Sequence, residues 1–168
     1  MEVTPLHIAF AAFSVLTLGG GFGVVTSRNL IHAALFLIVA LFGVAGYFVM
    51  LEAPFLAAVQ VLVYIGAIAV VVIFAVMLTR SVVGTNEVTH TNQWVLAVIT
   101  AGALLMVLGF VLLDQFGTID APLADVPEGS VELLGRQLVS PNAFVLPFEV
   151  ASVLLLAALI GAVVVARE

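Results

Sequence analysis

No charged residue stands between Glu52 and Arg80. At about 1.5 Å per residue, a helix from Ala53 to Thr79 is about 40 Å long, more than the roughly 30 Å of hydrocarbon in a bilayer. A charge-free run of that length predicts a transmembrane helix. A polar interruption lies inside it, Gln60, Tyr64 and Gly66 within the string QVLVYIGA from Gln60 to Ala67. The helix is therefore over-long and has a weak point near its middle.

The rest of the chain agrees. Of its 168 residues 64% are hydrophobic and 8% charged, whereas soluble domains carry about 25% charge. The expected fold is an all-α integral membrane protein, a single membrane domain over residues 1–168 with five transmembrane helices. The spans are expected at about 5–26, 30–50, 55–79, 94–113 and 143–166, with an acidic outer loop at 114–142. Little remains for a soluble catalytic domain, so any chemistry belongs in the membrane or on a partner. Cysteine is absent, which excludes disulfides, thiolate metal sites and cysteine-ligated iron–sulfur clusters. The Met1-Glu2 start lacks the positive flank of a cleaved signal, so the first span is expected to be retained.

The first span ends in a glycine cluster, Gly19, Gly20, Gly21 and Gly23, read either as a close-packing face or as a flexible helix end. Ser27-Arg28-Asn29 turns the chain into the second span, which has Gly43 and Gly46 on one side and is closed by Glu52 and Pro54. A polar linker from Ser81 to Gln93 precedes Trp94, a residue suited to the headgroup level. The loop after the fourth span holds Asp114, Asp120, Asp125, Glu128 and Glu132 against Arg136, and so accounts for most of the net charge of −6. Nothing in that balance favours nucleic acid. Within the loop, Val131, Leu134 and Leu138 share the i, i+3, i+7 face of a short amphipathic helix expected at Ser130 to Leu138. In the fifth span, Ala157 and Gly161 form a small-residue stripe. Five spans bring Arg28, Arg80 and Arg167 to one side of the membrane, which the positive-inside rule makes cytoplasmic. The expected topology is N-terminus outside and C-terminus cytoplasmic.

Ion carriers place a carboxylate or lysine within the hydrocarbon, where it is tolerated only for a function. Lysine is absent here, and Glu52, Asp114 and Glu149 all fall at outer helix ends. Glu149, the deepest, reads as an outer-side acid: a protonatable mouth or partner contact on one view, an acid favoured by a helix N-terminus on the other. His7 and His32 begin spans on opposite sides, so they cannot share a haem iron, and His90 lies in the linker. The third span holds the remaining polar candidates. Tyr64 sits near the bilayer midplane and needs a partner or a water for its hydroxyl, with Gln60 one turn earlier as neighbour or as a contact to another subunit. Gly66 can accommodate a π-bulge, a feature common at functional sites. Ordinary interhelical packing is the competing reading of these residues.

Three strings together carry a resemblance: Gln60 to Ala67, Ser27 to Ala34, and PFEVASVLLLAALIGA from Pro147 to Ala162. With the five spans, they make the chain resemble the J subunit of bacterial NADH-quinone oxidoreductase, chain 6 of mitochondrial complex I, over nearly its whole length. The resemblance implies a core membrane-arm subunit beside the A, H, K and N types, in a bacterial inner membrane. It implies no cofactor in this chain, with quinone, FMN and iron–sulfur clusters in partner subunits. It also implies a π-bulge at Tyr64, Ile65, Gly66 and Ala67, whose conversion to regular helix gates water and so couples quinone reduction to proton translocation. Val70, Val71 and Phe74 would then enter or leave a water-bearing interface. Relatives carry glutamine or glutamate at the Gln60 position, and the glutamine here does not titrate. Two other readings stand beside this one: a subunit of a related ferredoxin-linked complex, and a component of a small cation/proton antiporter.

Overall fold

A computed structural model of the chain describes residues 4–79, 94–116 and 129–167. The described elements are helical throughout: α1 (Pro5–Thr26), α2 (Leu30–Met50), a third span from Pro54 to Thr79, α5 (Trp94–Phe116), α6 (Ser130–Val139) and α7 (Val145–Ala166). The third span has three parts: α3 (Pro54–Val59), a π-helical segment (Gln60–Ala69) and α4 (Val70–Thr79). Five of these helices are long and apolar enough to cross a membrane. The protein is a multi-pass membrane protein. The linker from Ser81 to Gln93, with His90, and the acids Asp120, Asp125 and Glu128 lie outside the described residues.

Helix boundaries follow local chemistry. Pro5 and Pro54 occupy first-turn positions, where a missing N–H costs nothing. His7 acts at the start of α1: its Nδ1 accepts from the Thr4 N–H at 3.3 Å, and its own N–H donates to the Thr4 carbonyl at 2.9 Å. Asn29 caps α2 by accepting from the Ile31 N–H at 2.9 Å. At the far end of α2 the chain reverses through a Schellman motif, in which Ala53 N–H donates to the Phe48 carbonyl and Glu52 N–H to the Val49 carbonyl. That motif puts its pivot residue in the left-handed region, and here the pivot is Glu52, at φ 55°. The fourth span runs to Phe116, beyond the expected end at Leu113. Backbone hydrogen bonding thus continues past Asp114, the first charge after the apolar run.

The chain divides into two compact units, one through Ala124 and one from Asp125. In the first, α2 is the central element, packed against α1 and all three parts of the third span. The α1–α2 contact is close because two glycine pairs face one another's helix. A Cβ on Gly20 would lie 2.7 Å from the Ala40 nitrogen and 2.9 Å from its Cα. A Cβ on Gly43 would overlap the Thr17 side chain and reach 2.9 Å from its backbone nitrogen. Gly23 and Gly46 give room to the rings of Phe36 and Phe13. Gly20 and Gly23 thus form the close-packing face, whereas Gly19 and Gly21 meet nothing within 4 Å. One polar link crosses this apolar contact. Ser14 donates its only proton to the Phe10 carbonyl at 2.8 Å, so the Tyr47 hydroxyl donates to Ser14 Oγ at 2.7 Å. In the second unit, α6 packs against the start of α7, and α7 is otherwise exposed along its length.

Candidate functional site in the third span

Most burial along the third span falls on one stripe: Ala57, Gln60 and Ala69 are buried, and Ile65, Ile73 and Val76 are partly buried, while Val59, also partly buried, lies beside it. The described element packed against every part of this span is α2. Successive members of the stripe are separated by three, five, four, four and three residues, and the step of five lies in the π segment. The register is decisive. At 100° per residue in an α-helix, the nine steps from Gln60 to Ala69 rotate through 900°, which leaves the two residues on opposite faces. Yet Gln60 is 6% exposed and Ala69 1%. Both face α2 only because the i→i+5 hydrogen bonding of the π segment unwinds the span by about half a turn.

The same arithmetic identifies the residues displaced from α2. Counted at 100° per residue from Gln60, a continuous α-helix would bring Val71 and Leu78 within about 20° of its face and Phe74 within about 40°. In the structure Val71 is 65% exposed and Leu78 77%. They are among the most exposed side chains of the span. The π segment therefore selects small Ala69 for the helix contact and turns bulkier apolar side chains outward.

Gln60 is the polar member of the stripe. Its Nε2 donates to the Leu41 carbonyl of α2 across 3.4 Å. It faces α2 and not Tyr64. Tyr64 is half exposed, and its hydroxyl bonds to none of the described residues. Ile65 is partly buried, while Gly66 and Ala67 are exposed. A Cβ on Gly66 would stand 3.4 Å from the Val61 carbonyl oxygen, an ordinary contact. The lack of a side chain there is not required by the π geometry. Val70 and Phe74 are exposed beyond the segment.

The comparison with known proteins adds what the geometry alone does not supply. The profile of the NADH-ubiquinone/plastoquinone oxidoreductase chain 6 family matches residues 20–165. The chain belongs to that family. Subunit J of the F(420)H(2) dehydrogenase of Methanosarcina mazei is 37% identical over 161 residues, 94% of this chain and 89% of that protein. The NAD(P)H-quinone oxidoreductase chain 6 of Leptolyngbya boryana is 34% identical over 166 residues, 96% of this chain and 79% of its own length. The Synechocystis chain 6 is 32% identical, with 96% of this chain and 81% of the relative covered.

Within this chain 6 family member the expected site residues divide by position. Gln60, Tyr64, Ile65, Gly66 and Ala67 all fall inside the π segment, and Val70 and Phe74 lie in the first turns after it. Glu149 belongs to the second unit, in the second turn of α7, and is exposed. Sequence reasoning missed three contributors, Ala57, Ala69 and the Leu41 carbonyl. For the two alanines the signal is the spacing of small residues, but on an α-helical wheel Ala57 and Ala69 fall about 120° apart, and a backbone carbonyl such as that of Leu41 has no sequence signal. The stripe appears only once the π register is known.

Proposed function

We propose that this chain is a membrane-arm subunit of a proton-translocating quinone oxidoreductase, and that its third span couples quinone reduction to proton translocation by moving between the π register and a regular α register. The observation that carries the reading is the joint burial of Gln60 and Ala69 across a separation that an α-helix cannot place on one face. Conversion to α would carry Ala69 off α2 and bring Val71, Phe74 and Leu78 toward it. Replacing an alanine at a close helix contact by larger side chains forces the helices to reseat. The space beside the span opens or closes to water accordingly. No titrating side chain of the span need be involved, because Gln60 carries no charge and the segment contains no acid.

Which half of the span moves follows from Gln60. Turning the N-terminal half would take its amide from the Leu41 carbonyl into an apolar surrounding, where an unpaired polar group is costly. Turning the C-terminal half exposes Ala69, which has no polar group to lose. The C-terminal half, Ala69 to Thr79, is therefore the rotor, and the Gln60 end is the fixed mount.

In this reading the chain holds no redox centre. Quinone, FMN and iron–sulfur clusters belong to partner subunits, with A, H, K and N types as membrane neighbours. The same reading, resting on the arginine distribution, puts the N-terminus outside and the C-terminus in the cytoplasm of a bacterial inner membrane. The electron donor is set by other subunits, in keeping with relatives whose names carry different donors, F420H2 and NAD(P)H. The test is the water accessibility of an Ala69→Cys thiol in the assembled complex, at rest and during quinone reduction. Accessibility should rise with turnover and fall when an inhibitor stops it. A thiol equally protected in both conditions, in a complex that still pumps protons, would refute the moving register.

A further inference from the structure

Outside the spans, α6 carries an apolar face and a charged face, with exposed Leu133 the apolar exception beside the charges. In α6, Val131, Leu134 and Leu138 lie within about 60° of one another around the helix. Val131 and Leu134 are exposed, and Leu138 is partly buried. On the opposite side Arg136 donates to Glu132 Oε1 at 2.8 Å, with both side chains exposed. These are the only charges on the helix, and they neutralise each other.

The turn into α7 fixes the level of this helix. The Gln137 carbonyl, in the last turn of α6, accepts from the Phe144 N–H at 3.1 Å and from the Ser140 N–H at 3.4 Å. Phe144 in turn accepts from the Phe148 N–H, at 3.1 Å, in the first turn of α7. The last turn of α6 is thus hydrogen-bonded to the residue where a span of mean hydropathy 2.6 begins. A helix tied at that point, 10 residues long and without net charge, has no reach into bulk water at its C-terminal end.

We infer that α6 lies in the headgroup layer of the membrane, with Val131, Leu134 and Leu138 against the acyl boundary and the Glu132–Arg136 pair toward water. An apolar face opposite a charged one, attached to a span, is the pattern of an interfacial helix. The lipid chemistry it fits is zwitterionic. The helix has no excess of lysine or arginine for anionic headgroups, and the preceding stretch contains Asp114, Asp120, Asp125 and Glu128. The inference requires only that α7 spans the membrane and is independent of any movement in the third span.

The experiment places photoreactive p-benzoylphenylalanine at Leu134, at Val131 and at Glu132, one at a time, in the assembled complex in its own membrane. Phospholipid adducts are expected from 131 and 134, at several times the yield from 132. Either apolar position suffices, so failure of one variant to assemble leaves the other. Cross-linking of 131 or 134 to another subunit would overturn the inference in favour of a protein contact, and absence of any adduct from both would place the face in water. Because the chain has no native cysteine, a second measurement uses nitroxide labels on Leu134→Cys and Arg136→Cys in the full chain in phosphatidylcholine vesicles. Oxygen collision should be several-fold higher at 134, and collision with a water-soluble nickel chelate several-fold higher at 136. Equal nickel access at the two positions would refute membrane seating.

Discussion

Gln60→Leu separates the mount from the rotor. Leucine is close to glutamine in volume, so the buried site against α2 is neither emptied nor overfilled. The Leu41 carbonyl lies inside α2 and keeps its intrahelical bond, so no acceptor is orphaned. What is lost is one long hydrogen bond of 3.4 Å. Interhelical hydrogen bonds in membranes contribute about 0.6 kcal/mol on average and about 1.7 at most. That range corresponds to roughly a 3-fold to 18-fold change in the preference for turning the C-terminal half. The assay follows thiol labelling at Ala57→Cys and Ala69→Cys in the assembled complex during turnover, with and without Gln60→Leu. With Gln60 present, only the Ala69 position should gain accessibility. With Gln60→Leu, the Ala57 position should gain it too, by several-fold, while assembly is unchanged. An Ala57 thiol that stays protected in both backgrounds would show that the amide does not hold the mount. Labelling of Ala57 ahead of Ala69 with Gln60 present would reverse the assignment of the two halves.

Three further outcomes follow from contacts. Gly20→Ala places a methyl 2.7 Å from the Ala40 nitrogen, so α1 and α2 must separate, at a cost of about 1–3 kcal/mol in reversible unfolding of the chain in detergent micelles. Glu52→Gly relieves a left-handed residue at the Schellman pivot and should stabilise by about 1 kcal/mol in the same measurement. Gly66→Ala fits the π segment, its methyl meeting only the Val61 carbonyl at 3.4 Å, and should raise stability by about 0.5–1 kcal/mol through helix propensity. A loss of more than that amount on Gly66→Ala would mean that the site is tighter than the structure describes.

The spans were legible because hydropathy is a property of each residue alone. Charge-free runs bounded by Arg28, Glu52, Arg80 and Arg167 need little knowledge of what packs on what. The glycines of α1 were half legible: the cluster pointed to close packing, but only the position of α2 separates Gly20 and Gly23 from Gly19 and Gly21. The third span was legible as a weak point and not as a register. Gln60, Tyr64 and Gly66 locate the interruption, whereas its consequence depends on which face meets α2, a relation between two helices. For the same reason Tyr64 is visible in the sequence and the buried Ala69 is not. A hydroxyl is conspicuous in an apolar string, and a buried alanine among alanines and valines is not.

Coupling by the third span requires that the half-turn of unwinding between Gln60 and Ala69 be reversible. The most direct measurement is the backbone hydrogen-bond pattern from Gln60 to Val70 in the assembled complex, determined at rest and during turnover. A moving register gives i→i+5 bonding in one condition and i→i+4 in the other. Gln60 should remain on the Leu41 carbonyl in both, with Val71 taking the place of Ala69 against α2 in the second. The same π pattern in both conditions, with Ala69 buried throughout, would contradict it.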